Sequence, residues 1–317
     1  MGGLQTQAAP SGYVGLWSRL AGFERASLTR ALEAREVVQG TVMRATIHTV
    51  SAADYWPMTI GVRRSRRAWT ERTWRKEFAG VDMGRLAEAA RDELMAGPLR
   101  MPELVRRLAA RGFPAWPVRF VGHWLDLVRV PPSGTWERRR ADLYGLADAW
   151  LPRPDGGLDE AAGIDLLVRR HLGAFGPAAP REIAGWAGLP VSLVRPAVDR
   201  LGLRPYEAED GLALYDLSDR SLADPDAPAP VRFLAVWDPI LLVHLRRTQV
   251  LPEALRPLLF NTRTPQSANA FLVDGQVAGS WRFEDDRIAM MFFRDVIPLE
   301  RRELEAEAER LGAFHRD

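Results

Sequence analysis

Two glutamines near the N-terminus, Gln5 and Gln7, are the residues whose type and spacing first suggest chemistry. In an extended segment residues i and i+2 point the same way, whereas on a helix they would splay about 200° apart. Glycines before the pair and an Ala-Pro step after it favour a non-helical setting. Both carboxamides can therefore face one cleft and hold a water molecule or a sugar. A polar pair on a surface turn is the alternative interpretation.

The composition limits the other kinds of site that the chain can carry. There is no cysteine, which excludes disulfides and thiolate zinc sites and fits a cytoplasmic protein. The histidines lack the spacing of a zinc motif and no phosphate-binding loop is visible, so neither a metal nor another cofactor is expected. No apolar run has the length of a membrane span, and no signal peptide is expected.

Arginine carries nearly all the positive charge, although the formal net charge is only +2 and Lys76 is the single lysine. A GC-rich genome would produce the same bias, but arginine also has forked, planar donors that suit phosphates and guanine edges. A Ser-x-x-Asp capping pattern predicts a helix that begins after Ser51 and carries Arg63, Arg66 and Arg67 on one face. These arginines are predicted DNA contacts. The alternative is a solvated helix face balanced by acidic residues.

Helices followed by β-hairpins recur along the chain and predict an α+β protein. Each set has the outline of a winged helix, a helix-turn-helix variant that binds either DNA or proteins. Gly40, inside a β-rich stretch, is expected to mark a turn or bulge. After a Pro-rich linker at 224–230, short β segments predict a meander, followed by a charged helix. The predicted units are three tandem winged helices and a C-terminal β-rich region, at 1–80, 81–152, 158–222 and 228–317.

Five segments of the chain, in this order, resemble one known family. They are GGLQTQAAPSGYVGLWSRL, GTVMRATIHTVSAADYW, AFGPAAPREIAGWAGL, WDPILLVHLRRTQVLP and FLVDGQVAGSWRF. This set is similar to the winged-helix DNA glycosylases of the AlkZ/YcaQ type, and the resemblance covers nearly the whole chain. It implies three tandem winged helices with a C-terminal β region that cup double-stranded DNA.

The resemblance also implies a reaction and the residues for it. Members of this family excise alkylated purines, especially N7-alkylguanine, and some unhook interstrand crosslinks. Their catalytic signature is Q-x-Q in one branch and Q-x-D in the other, so Gln5 and Gln7 match the Q-x-Q branch and are expected to be catalytic. The family carries a further long helix before this motif. This chain is therefore expected to have a partly uncovered first winged helix and a free N-terminal flank.

Further DNA contacts are expected from the late part of the chain, at His244, Arg246, Arg247 and Arg282. For the first three, which fall within a matched segment, a structural salt bridge is the alternative to a phosphate contact. Beside Arg282, Trp281 is interpreted either as a base contact or as a core residue of the meander.

The expected chemistry suits two neutral carboxamides. An N7-alkylated guanine is positively charged and leaves readily, while positive charge develops on the deoxyribose. Gln5 and Gln7 can orient water and turn their oxygens toward that charge. A bifunctional glycosylase needs an amine for a Schiff base. Because the single lysine lies in a basic run, a monofunctional enzyme is expected. The N-terminal amine is the conceivable substitute for a Schiff-base lysine.

The alternative hypothesis is a non-enzymatic tandem winged-helix DNA-binding protein, in which the two glutamines serve only packing. The expected partner is duplex DNA, which for the glycosylase carries an alkylated purine, and no membrane is involved. No heptad pattern is visible, so a monomer is expected. The expected location is the cytoplasm, in association with the nucleoid.

Overall fold

Short helices and strands, most of them bounded by Gly, Pro, Ser or Asp, group into two units. The first comprises residues 1–9 and 29–220, and the second comprises residues 10–28 and 221–317. The computed structural model of the chain describes residues 2–154, 156, 158–242, 247–260 and 267–316, with only the backbone of Arg247.

The regular elements confirm an α+β protein. The strands are β1 (Leu4–Gln5), β2 (Val37–Thr41), β3 (Ile47–Ser51), β4 (Leu99–Arg100), β5 (Leu127–Arg129), β6 (Leu143–Leu146), β7 (Arg204–Glu207), β8 (Ala213–Asp216), β9 (Arg232–Leu234), β10 (Asn269–Val273), β11 (Gln276–Glu284) and β12 (Arg287–Phe292). The α-helices are α1 (Ala9–Trp17), α2 (Arg25–Glu33), α3 (Ala52–Thr73), α4 (Met83–Met95), α5 (Met101–Ala110), α6 (Ala115–Val118), α7 (Ala147–Trp150), α8 (Glu160–Phe175), α9 (Pro180–Ala187), α10 (Val191–Arg200), α11 (Pro239–Leu242), α12 (Arg256–Leu259) and α13 (Pro298–Arg316).

One antiparallel sheet of the first unit joins the strands of the first two predicted winged helices. Its order is β1-β3-β2-β5-β6-β4, with β1 at one edge. Gln5 lies opposite His48, and His48 lies opposite Gly40. Gly40 is therefore a strand residue and not the turn that the sequence predicted. The ring of Tyr55 packs over it, so that a Cβ at this position would lie 2.6 Å from Tyr55 Cε2.

Helix α3 begins where the capping pattern predicts, because the Ser51 hydroxyl accepts a hydrogen bond from the Asp54 amide at 3.2 Å. The helix packs closely on α8, and glycines make this approach possible. A Cβ on Gly61 would lie 2.7 Å from the carbonyl carbon of Gly163. Side chains larger than hydrogen at this crossing would force the two helices apart.

Further helices and a two-stranded hairpin complete the first unit. Helices α4 and α5 bury Leu86, Leu104 and Leu108 beside Val118 and Val121. Helix α4 begins at Asp82, whose carboxylate accepts from the amides of the first turn. The β7–β8 pair forms around an Asp-Gly step, Asp210-Gly211, and follows helices α8, α9 and α10.

The second unit contains the predicted C-terminal β region, a sheet of order β12-β11-β10-β9. Trp281 is a core residue of this sheet, since it is 5% exposed and its indole donates to the Leu234 carbonyl at 2.9 Å. The predicted final helix is α13, where Phe314 packs against Trp17. Across the described residues, no helix combines the length and apolar character that a bilayer span requires.

Candidate active site

The two glutamines have different environments. Gln5 is the last residue of β1 and is buried, whereas Gln7 is exposed in the bend that joins β1 to α1. Strand alternation covers only Gln5, because the strand is two residues long and ends before Gln7. That both carboxamides face one cleft stays a prediction. The Gln5 amide nitrogen and the Gln7 side chain make no hydrogen bond to any described residue. They remain available for a bound molecule.

A half-buried arginine holds the Gln5 side chain. Arg44 Nη2 donates to Gln5 Oε1 at 3.0 Å, and its Nη1 donates to the Trp186 carbonyl. An arginine can only donate, so the carboxamide atom that faces it must be the oxygen. Burial lowers the pKa of Arg44 to about 10, which leaves it charged at neutral pH. No carboxylate of the described chain pairs with it, and its acceptors are neutral.

His48 completes this network as a neutral residue. Its Nδ1 lies 3.0 Å from the Thr46 carbonyl and its Nε2 lies 3.3 Å from Arg44 Nη2. The carbonyl requires a proton on Nδ1, and the arginine requires a lone pair on Nε2. Burial, with a smaller effect of the Arg44 charge, lowers the pKa of His48 to about 3. His48 is therefore a packed, hydrogen-bonded residue.

A second arginine, which is buried, holds the backbone of the motif. Arg129, at the end of β5, donates from Nη1 to the Thr6 carbonyl at 2.8 Å and from Nη2 to the Gln7 carbonyl at 3.5 Å. From the other side, the Thr49 hydroxyl donates to Thr6 Oγ1 at 3.0 Å. The bend that contains Gln7 is therefore held by residues on β3 and β5, which belong to the first and the second predicted winged helix.

The surroundings of Arg44 are tightly packed. Arg44 has a left-handed backbone with φ 51°, and a Cβ on Gly188 would lie 2.8 Å from its amide nitrogen. The flank before the motif is covered, because Gly2 is buried and a Cβ there would lie 2.6 Å from the Trp186 ring. A cavity of about 220 Å³ lies beside Arg44 and is lined in part by the exposed indole of Trp69.

The arginines predicted as DNA contacts on α3 share a face, but that face points inward. Arg66 is buried and donates to the Thr41 carbonyl, while Arg67 Nη2 donates to the Trp124 carbonyl at 2.7 Å. Arg63 forms a 2.6 Å ion pair with Asp126. The structure therefore contradicts a phosphate contact by Arg66, and Arg63 and Arg67 are occupied in holding the segment before β5 against α3.

The late DNA-contact predictions have mixed outcomes. His244 and Arg246 lie outside the described residues, as does the side chain of Arg247. Arg282 is exposed on β11 and forms a 2.6 Å ion pair with Glu284. It stays a predicted contact, although binding a phosphate would compete with that carboxylate.

A basic loop that the sequence reasoning did not assign lies near the motif. Between β5 and β6, three consecutive exposed arginines run from Arg138 to Arg140. Arg139 stacks over the Trp136 ring at 4.8 Å and Arg140 pairs with Asp142 at 2.7 Å, whereas the Arg138 side chain has no partner in the described chain. Gln39 ties the loop to β2 by donating to the Gly134 carbonyl at 3.2 Å. The run of three arginines was the available signal.

The comparisons with known proteins identify the family. A sequence model of the family described as DNA glycosylase AlkZ-like matches residues 1–314. The chain belongs to the AlkZ-like DNA glycosylase family. It is thus a DNA-repair glycosylase by family, and DNA is its partner. The predicted resemblance is confirmed.

A solved structure shows the same fold. The chain is similar to the DNA glycosylase AlkZ of Streptomyces sahachiroi, with a TM-score of 0.79 and 19% sequence identity over 99% of this chain and 87% of that one. No curated protein matches the sequence at a significant level. Within the described residues, no group of three or more potential side-chain ligands could hold a metal ion.

Proposed function

We propose that this glycosylase hydrolyses the N-glycosidic bond of alkylated purines, above all N7-alkylguanine, with Gln5 and Gln7 at the reacting centre. The observation that carries the proposal is the pair of arginines, half-buried Arg44 and buried Arg129, which hold this short motif while the Gln5 amide nitrogen and the Gln7 side chain stay unpaired in the described chain. Packing alone would not require polar groups held in place without partners.

The absence of a carboxylate among the groups that contact the motif in the described chain favours a cationic substrate. In the proposed reaction the water oxygen forms a bond to C1′ while the C1′–N9 bond breaks. The bonding electrons neutralise the charged imidazolium ring of the purine, which leaves as the neutral alkylated base, and the water proton passes to solvent. Carboxamides are too weakly basic to help expel a poor leaving group. Positioning the water supplies the main acceleration.

We propose a monofunctional reaction that ends at the abasic site. Lys76, the single lysine, is exposed in the turn after α3 and contacts neither Gln5 nor Gln7 in the described chain. A Schiff-base lysine is usually desolvated or placed beside another cation that lowers its pKa. Trapping with borohydride is therefore expected to give no covalent complex through Lys76, and a Lys76-linked DNA adduct would contradict this.

The loop between β5 and β6 is the proposed phosphate-binding element of the first unit. We assign the phosphate contacts to Arg138 and Arg139 and not to the inward-facing arginines of α3. The guanidinium groups of Arg138 and Arg139 are exposed, and no carboxylate of the described chain pairs with them. Each phosphate contact releases counterions, so DNA affinity should fall steeply with salt. The protein is proposed to act as a monomer in the nucleoid.

Interstrand crosslinks through guanine N7 are proposed as a further substrate class. Each linked guanine carries the same positive charge as N7-methylguanine, so the same bond cleavage applies to it. The proposal rests on this shared chemistry.

The test compares matched duplexes that carry one N7-methylguanine, one hypoxanthine or no lesion, under single-turnover conditions followed by mild alkali. Strand cleavage confined to the N7-methylguanine duplex is the expected result. Equal cleavage of the hypoxanthine duplex would contradict the preference for cationic bases. Binding without cleavage of any duplex would favour the non-enzymatic alternative.

A further inference from the structure

We propose that Arg44 is a positioning residue that makes the two glutamines chemically unequal, with Gln5 acting as a hydrogen-bond donor to the attacking water and Gln7 as the acceptor of its proton. This inference rests on the proposed glycosylase function and deepens it. It follows from which atom of the Gln5 carboxamide the Arg44 guanidinium contacts.

The orientation of the Gln5 carboxamide is set by the contact with Arg44. A guanidinium has five donors and no acceptor, so the contact of 3.0 Å to Arg44 Nη2 requires the oxygen of Gln5. Turning the carboxamide over would bring its NH₂ group against the guanidinium and leave two donors facing each other. The amide nitrogen of Gln5 makes no bond to the described chain and is not sealed from solvent. Gln5 therefore offers its N–H groups to whatever binds there.

Two further contacts hold the Arg44 guanidinium in place. Its Nη1 donates to the Trp186 carbonyl of α9, and Nη2 also faces the lone pair of His48 Nε2 at 3.3 Å. The close approach of Gly188 to the Arg44 backbone fixes the turn that carries it. An arginine whose side chain and backbone are both held in this way can fix the orientation of the Gln5 carboxamide.

The charge of Arg44 strengthens this division of roles. No carboxylate of the described chain neutralises it, so the guanidinium draws electron density from Gln5 Oε1 and makes the Gln5 N–H groups stronger donors. The same positive charge makes Gln5 a poor neighbour for a sugar that becomes cationic. A donor of this kind suits the oxygen of a water molecule.

Gln7 is left as the acceptor of the motif. Its side chain is exposed and makes no hydrogen bond to the described residues, so Oε1 keeps both lone pairs. Arg129 binds only the backbone carbonyl of Gln7 and does not occupy this oxygen. Gln7 Oε1 can take the hydrogen of the attacking water and face the developing charge on the sugar. The amide cannot keep the proton, which passes on to solvent.

Isosteric substitutions test the assignment of donor and acceptor. Gln5→Glu keeps the oxygen that faces Arg44 but removes the N–H groups, and Gln7→Glu keeps and strengthens an acceptor. Loss of a preorganised donor costs about 100-fold or more in rate. We expect the single-turnover excision rate of Gln7→Glu to exceed that of Gln5→Glu by more than about tenfold. Any smaller ratio, or the reverse order, overturns the assignment.

A double-mutant cycle tests whether Arg44 acts through Gln5. Misplacement of a reacting group costs about 100-fold, so Arg44→Met should slow excision by about this factor in the wild type and in the Gln7→Ala background. In the Gln5→Ala background it should change the rate by less than about threefold, because the group that Arg44 positions is already gone. Equal loss in all three backgrounds would mean a structural role and would overturn the proposal.

Two controls keep the test decisive. If Arg44→Met does not fold, as judged by circular dichroism and thermal melting, the ratio of the two glutamate variants still decides the proposal. If the wild type itself excises no N7-methylguanine, the proposed function fails and the inference falls with it. A wild type that is active, with a ratio below about ten between the two variants, refutes the inference alone.

Discussion

Acid should destabilise this protein through two histidines that are buried in the neutral form. Burial is the main cause that lowers the pKa of both His48 and His123 to about 3. A smaller effect comes from the cation that faces each ring, Arg44 for His48 and Arg66 for His123. In the unfolded chain both pKa values return to about 6.5. The unfolded state therefore binds protons that the folded state cannot bind, and stability falls as the pH drops from about 6.5 toward 3.

The size of this effect follows from the two pKa values. Between pH 7.5 and 5.5 the unfolded form gains most of one proton at each histidine while the folded form gains almost none. Each histidine therefore removes about 1.4 kcal/mol from the free energy of unfolding, and both together remove about 2.7 kcal/mol. The two rings lie in different hydrogen-bond networks, since His123 contacts Thr70 and His48 contacts Thr46. Their contributions should add.

The assay is denaturant unfolding at pH 7.5 and 5.5 for the wild type, His48→Gln and the double variant His48→Gln, His123→Gln. Glutamine can replace both the donor and the acceptor of a neutral imidazole but does not titrate. The loss of stability between the two pH values should shrink by about 1.4 kcal/mol in the single variant and about 2.7 kcal/mol in the double variant. A pH dependence that stays the same in all three proteins would refute the reasoning.

Three further changes test other contacts. Arg66→Met should lower the unfolding free energy by about 1–3 kcal/mol, measured in denaturant, because the Thr41 carbonyl loses its buried donor and Asp126 keeps only Arg63 as its ion-pair partner; an exposed, DNA-binding Arg66 would instead lower affinity with little loss of stability. Arg138→Ala should reduce the slope of log affinity against log salt by about one without changing the single-turnover rate, and an unchanged slope would exclude a phosphate contact. Gly188→Ala should cost more than about 1 kcal/mol and slow excision, because φ is 75° and the new Cβ meets Arg44; a variant as stable and active as the wild type would contradict this.

The local elements could be predicted because their signals lie within a few residues. Asp82 caps α4, because its carboxylate accepts from amides of the first turn, two and three residues further along the chain. The Asp-Gly steps between β7 and β8 and between β10 and β11 are local signals of the same kind for hairpin turns. Gly40 was misjudged because the ring that needs its missing side chain, Tyr55, comes from a helix that the strand pattern does not include.

The site could be predicted only in its residue types. The Q-x-Q resemblance predicts Gln5 and Gln7 as the motif, but strand alternation could not show that β1 ends before Gln7. Helical spacing placed Arg63, Arg66 and Arg67 on one face, yet the spacing is the same whether that face meets DNA or Asp126. These outcomes depend on contacts between residues far apart in sequence.

Arg44 is the clearest example of a residue whose contacts could not be predicted from the sequence. Its role depends on a left-handed turn and on acceptors from β1, β3 and α9, which meet only in the folded chain. The sequence around it has no pattern that distinguishes this arginine from the many others. Arg129 was equally invisible, since its partners Thr6 and Gln7 are bound through backbone carbonyls.

The most direct test of the central claim is single-turnover excision of N7-methylguanine by the double variant Gln5→Ala, Gln7→Ala, with Gln276→Ala as a matched control at an exposed glutamine of the second unit. Alkali-sensitive cleavage should appear with the wild type and the control and disappear with the double variant, while affinity for the damaged duplex changes little. A double variant that excises the base as fast as the wild type would contradict the assignment of this motif as the active site.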